Sequence, residues 1–140
     1  MRSERPWNNC CQDANTGHDG SLSTGHANSC KDMLSRLETM VLMGMELPLP
    51  AIRSQIASGI DILVHLGRMR DKSRKVLNIT EVLAYRDGEV QLKELYRFCE
   101  EGSGEAVVGT LTQVGLLHQV EKLQRAGLME KCQWITENIV

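Results

Sequence analysis

Two histidines, His18 and His26, bracket a run of small and hydroxyl residues in the segment TGHDGSLSTGHANS, which spans residues 16–29. An imidazole in such a setting can donate a hydrogen bond to a phosphate oxygen or orient a water, and its charge changes near neutral pH. His26 directly follows a short strand predicted over Ser21–Gly25 and precedes a helix that Asn28 or Ser29 can cap. In open α/β sheets, ligands gather beyond the carboxyl ends of strands, and helix N-termini there attract anions. On spacing alone, a turn histidine bonded to its own loop is the stronger of the two readings. His18, between Gly17 and Asp19, reads by itself as a solvated turn residue. His65, inside DILVHL, reads as a hydrogen-bonded sheet histidine, and His118 as a surface residue of a final helix.

Other clusters offer less. The five cysteines are odd in number and lack C-x-x-C spacing, which fits reduced thiols better than a disulfide framework. Cys10, Cys11 and Cys30 lie in one stretch with both box histidines, but the spacing matches no common zinc site, so no metal site is expected. A phosphate-cradling loop needs G-x-x-x-x-G-K-[ST], because backbone N–H groups and one lysine must surround the phosphates. No such run occurs, and Gly102-Ser103-Gly104 is only a flexible link. The basic stretch of Arg68, Arg70, Lys72, Arg74 and Lys75 reads as a solvated hairpin connection. Contact with nucleic acid, acidic lipid or a partner subunit is the competing reading, and the absence of interleaved aromatics weakens single-strand binding.

The elements around these residues follow from periodicity. Asp32 stands three residues after Ser29, close to a capping box, and Met33, Leu34, Leu37, Met40 and Val41 form one apolar stripe that Gly44 ends. Its methionines, with Met43 and Met45, are expected in the core rather than in a binding groove. Pro48 and Pro50 break the chain and open a second helix with Ile52, Ile56 and Ile60 four apart. DILVHL then predicts a strand covered on both faces, and VLNITEVLAY a second one. Asp87-Gly88 predicts a hairpin, because a type I′ turn needs positive φ at both central residues. The strand returning through Val90, Leu92, Tyr96 and Phe98 leaves room for a bulge or short turn at Lys93–Leu95. Ala106–Leu111 predicts one more short strand, and Leu116, Leu117, Val120 and Leu123 a terminal amphipathic helix stopped at Gly127.

A chain of 140 residues suits one domain with a real core. Its 41% apolar and 24% charged content is ordinary for a globular protein, and a net charge of −2 argues against general nucleic-acid or membrane-surface binding. No apolar run could span a bilayer, and the first residues hold no apolar stretch, so neither a membrane anchor nor a signal peptide is expected.

The segment TGHDGSLSTGHANS resembles the histidine box of CpaF/TadA-type pilus-assembly ATPases, within the type II/IV secretion ATPase superfamily. The likeness continues through DMLSRLETMVLMGMELPLPAIRSQIASGIDILVHLGRMRDKSRKVLNITEVLAY, most specifically in Leu34–Met40, and returns in VVGTLTQVGLLHQVEKLQRAGL. It covers residues 12–128, leaving a divergent leader at 1–11 and a tail at 129–140. The resemblance implies an α/β fold: the C-terminal portion of a RecA-like P-loop ATPase domain, with a mostly antiparallel strand group and a terminal helix. It implies ATP and Mg²⁺ as cofactors, a homo-hexameric ring, and polytopic inner-membrane pilus or secretion proteins as partners, with no nucleic acid. It places the chain in the cytoplasm, at most peripheral to the inner membrane through those partners. It assigns His26 a place near the terminal phosphate, with Thr16, Gly17 and His18 in the same wall; Thr24 and Asn28 match the motif.

Residues 1–11 depart from the family where an acidic strand end would hold Mg²⁺. The expectation is a C-terminal fragment of a secretion ATPase, coupling hydrolysis to pilin polymerisation or protein export only when completed by residues outside these 140. No cofactor is expected on the isolated chain. The alternative is a non-catalytic truncated product acting at most as a subunit- or partner-binding module. Either way, an unpaired edge at Ser21–Gly25 and bare apolar helix faces should make the isolated protein oligomeric or poorly soluble.

Overall fold

A computed structural model describes residue 20 and residues 22–132. The described residues divide into two compact units, one within residues 20–63 and 84–91 and the other within residues 64–83 and 92–132.

In the first unit, α1 (Cys30–Gly44) starts where Ser29 Oγ accepts the Asp32 N–H at 3.1 Å. That bond satisfies a donor the helix itself leaves orphaned. Helix α2 (Leu49–Gly59) begins after Pro48, with Pro50 in its first turn, where the missing N–H costs nothing. The two helices pack through Leu34, Leu37 and Val41 of α1 and Ile52 and Ile56 of α2, all buried. Each such side chain contributes on the order of 1.5–3 kcal/mol of apolar burial. The buried face of α1 is Cys30, Leu34, Leu37 and Val41 rather than the methionines. Met33 and Met40 are only half-buried, and Met43 is 84% exposed. Leu and Val four and seven residues apart stay over one stripe, whereas Met43 lies off it.

The strands β1 (Ile62–Arg68), β2 (Arg74–Arg86), β3 (Glu89–Glu100) and β4 (Gly109–Gln113) form a sheet in that order. Asp87 and Gly88, with φ of +53° and +82°, make the β2–β3 turn that the sequence predicts. β3 runs without interruption through Lys93–Leu95. β4 pairs antiparallel with β3 from Tyr96↔Gln113 to Glu100↔Gly109 and lies slightly later than the predicted Ala106–Leu111. A side chain at Gly109 would run into the Cys99 carbonyl and the Phe98 ring, so the close approach requires glycine. The fold class is therefore α/β with an antiparallel strand group, as expected.

Three further expectations fail. β1 is not covered on both faces: Ile62, Val64 and Leu66 are 40%, 51% and 62% exposed, and the burial alternates along the strand, so one face carries no packed layer among the described residues. Residues 22–25 form no strand, and Leu22 is 99% exposed, since no described strand pairs with them. The terminal helix shrinks to α3 (Glu121–Arg125), because the residues before it spend their N–H groups on a buried carboxylate in β2.

Candidate functional site

His26 stands in the irregular stretch between Gly20, with φ of +84°, and the Ser29 cap of α1. Its side chain is exposed, as is that of Thr24 two residues earlier. Among the described residues no side chain hydrogen-bonds to His26, so its imidazole is open to an incoming group. Thr16, Gly17 and His18 lie outside the described residues. Among the described residues no three of the His, Cys, Asp and Glu side chains converge as metal ligands. An exposed histidine before one capped helix, with Asp32 already in its first turn, does not by itself make a triphosphate–Mg²⁺ site.

The bonded polar constellations lie elsewhere, and of their charged side chains only Arg70, in the basic stretch, stood out in the sequence. In the first unit, the Arg53 guanidinium grips the Glu38 carboxylate through Nε at 2.9 Å and Nη2 at 3.2 Å, and donates from Nη1 to the Gly88 carbonyl at 2.6 Å. A planar fork suits this double demand, and the bond to Glu38 raises the arginine pKa further. Arg53 thus ties α1 and α2 to the tip of the β2–β3 hairpin.

In the second unit, Glu81 is 1% exposed in the middle of β2 and accepts from the His118 N–H at 2.9 Å and the Gln119 N–H at 2.7 Å. Gln119 Nε2 also donates to the Leu83 carbonyl at 2.7 Å. A carboxylate bonded to two backbone donors offsets its own burial. The signal was visible in NITEVLAY, where one acid interrupts an apolar strand.

Asp71, in the β1–β2 loop, accepts from Ser73 Oγ at 2.6 Å, Ser73 N–H at 3.0 Å and Val107 N–H at 2.9 Å. The Ser73 hydroxyl, then the Val107 amide, favour the ionised form and hold its pKa down at about 2. Arg70 beside it pairs with Glu100 and donates to the Gly104 carbonyl at 2.8 Å. These two residues, with Glu105 and Ala106, line a shallow open depression in which Arg70 and Asp71 are already engaged. The basic stretch is therefore not uniformly solvated: Arg70 is bonded, and Lys75 sits 5.8 Å from the Phe98 ring centroid.

Residues 2–135 match the family described as Type II/IV secretion system protein. The chain belongs to this family. It is also similar to two Mycobacterium tuberculosis proteins named for conjugal transfer, from strains CDC 1551 / Oshkosh and ATCC 25618 / H37Rv. Each is 36% identical over 77 residues, which is 55% of this chain but 21% of the relative. The matched segment is thus about a fifth of the length of the curated relatives. Among the described residues no helix is long and apolar enough to cross a membrane.

Proposed function

We propose that the chain is the carboxyl-side part of a CpaF/TadA-type secretion ATPase subunit, which contributes one wall of a nucleotide pocket and leaves the phosphate grip to residues outside it. The family match over residues 2–135 carries this reading. His26, exposed just before the capped N-terminus of α1, is open to donate to an oxygen of the terminal phosphate. Thr16, Gly17, His18 and Thr24 complete that wall. ATP and Mg²⁺ are the cofactors of the completed site, and the lysine loop and metal-binding acid must be supplied from elsewhere. Neighbouring subunits of a homo-hexameric ring, and polytopic inner-membrane secretion or pilus proteins, are the partners, with the protein on the cytoplasmic side.

Phosphoryl transfer depends on positioning and on charge stabilisation by loop, lysine and metal. The 140-residue chain should therefore show no measurable ATPase activity. Titration with a fluorescent ATP analogue and Mg²⁺ tests this, and saturable micromolar binding would refute it. The DNA upstream of Met1, read in all frames, supplies the complementary test: a Walker-type loop encoded there supports the completed-site reading.

A further inference from the structure

The five cations of the β1–β2 hairpin fall into two groups. Arg70 and Lys75 are engaged within the unit, by Glu100 and by the Phe98 ring. Arg68, Lys72 and Arg74 are exposed and pair with no carboxylate among the described residues. The loop closes through Met69 N–H to the Ser73 carbonyl at 2.8 Å, inside which Lys72 N–H bonds the Met69 carbonyl at 3.0 Å. That register sets Arg68 directly opposite Arg74, two like charges on one face that repel unless something anionic lies between them.

The strand leading to this pair is itself unfinished. β1 has β2 as its sole neighbour among the described residues. Alternation along an antiparallel ladder turns the backbone of Met69, Gly67 and His65 toward β2 and leaves the N–H and C=O groups of Arg68, Leu66 and Val64 facing outward. Val64 and Leu66, 51% and 62% exposed, share the face of Arg68.

We propose that the β1 edge from Val64 to Arg68 accepts an extended acidic segment of another protein as an added strand. Main-chain bonds to the outward groups supply affinity, and alternate apolar side chains of the segment cover Val64 and Leu66. Its carboxylates bridge Arg68 and Arg74 and reach Lys72. A peptide fits better than an anionic bilayer, because Asp71, Glu100 and Glu105 crowd the same hairpin end. A flat layer of negative headgroups would meet those carboxylates, whereas a single narrow strand need not. This surface stands apart from the nucleotide reading and survives its failure.

The test uses the full chain and a fluorescein-labelled synthetic peptide of alternating valine and threonine ending in three glutamates, followed by anisotropy. Saturable binding is expected, weakened roughly tenfold or more by Arg68→Glu with Arg74→Glu and regained when the glutamates of the peptide become lysines. Leu66→Pro, which removes one outward N–H, should weaken both peptides, with thermal unfolding checking that the variant folds. Equal affinity for both peptides on the unaltered protein, or no saturable binding, overturns the proposal. So does preferential binding to phosphatidylserine vesicles, or self-association in sedimentation that the arginine reversals abolish.

Discussion

The β1–β2 loop and the stretch before α1 are both short connections without regular structure, yet they are held very differently. The loop is cross-tied: Asp71 holds Ser73 and Val107, and Arg70 holds Glu100 and Gly104. The stretch from residue 22 to His26 is exposed throughout, and the chain next meets a side-chain hydrogen bond at the Ser29 cap. The proposed chemistry thus sits on the less bonded of the two segments, whereas the bonded acids and bases of the loop tie it to its neighbours. An imidazole meant for a ligand must keep its donors unspent, whereas a carboxylate that fixes a loop spends every lone pair locally.

Four measurements sharpen or break that contrast. Glu81→Ala should cost most, roughly 2–3 kcal/mol in urea unfolding, because the His118 and Gln119 amides lose their acceptor. Glu81→Gln, keeping one carbonyl oxygen, should lose distinctly less. An unchanged denaturation midpoint for Glu81→Ala would mean the 116–119 segment is not held by this carboxylate.

Ser29→Ala should cost about 1 kcal/mol through the lost cap of α1. Circular dichroism during thermal unfolding would reveal it, and a loss no greater than that of a neighbouring exposed serine would remove the cap from the account.

Asp71 governs a pH effect. Its carboxyl titrates at about 2 in the folded chain, below the ordinary 3.8, so folding favours the ionised form. The stabilisation is complete above pH ~4 and is lost as the pH falls through ~2. Asp71→Asn should flatten the acid side of the stability curve in that window. A variant with the wild-type acid profile would show that other carboxylates set it.

His26→Ala should have the smallest effect, within about 0.5 kcal/mol of the parent, since nothing described leans on the side chain. A larger loss in stability would place His26 among the structural residues and against the nucleotide-wall reading.

Much of the fold was legible because it rests on local rules. The Ser29 cap, the Pro48 break, the Asp87-Gly88 turn and the β2 and β3 strands each follow from a few neighbouring residues. Errors arose where a distant residue decides. Leu116–Val120 has helical spacing, but Glu81, 37 residues away in sequence from His118, takes its backbone donors first. DILVHL has the composition of a fully covered strand, but coverage depends on what packs against it. The candidate site was legible only as a motif: Thr24 and His26 are exposed, while Thr16, Gly17 and His18 fall outside the described residues.

By itself the sequence determined most element types, the positive-φ turn at Asp87-Gly88, the helix cap and the family-like histidine segment, because dihedral preference and periodicity act over a few residues. Only the tertiary structure decided that β1 lies at an edge, that Glu81 is buried and that Arg53 spans two helices and a hairpin tip. Burial and charge pairing depend on neighbours brought together from far along the chain, which no local pattern encodes.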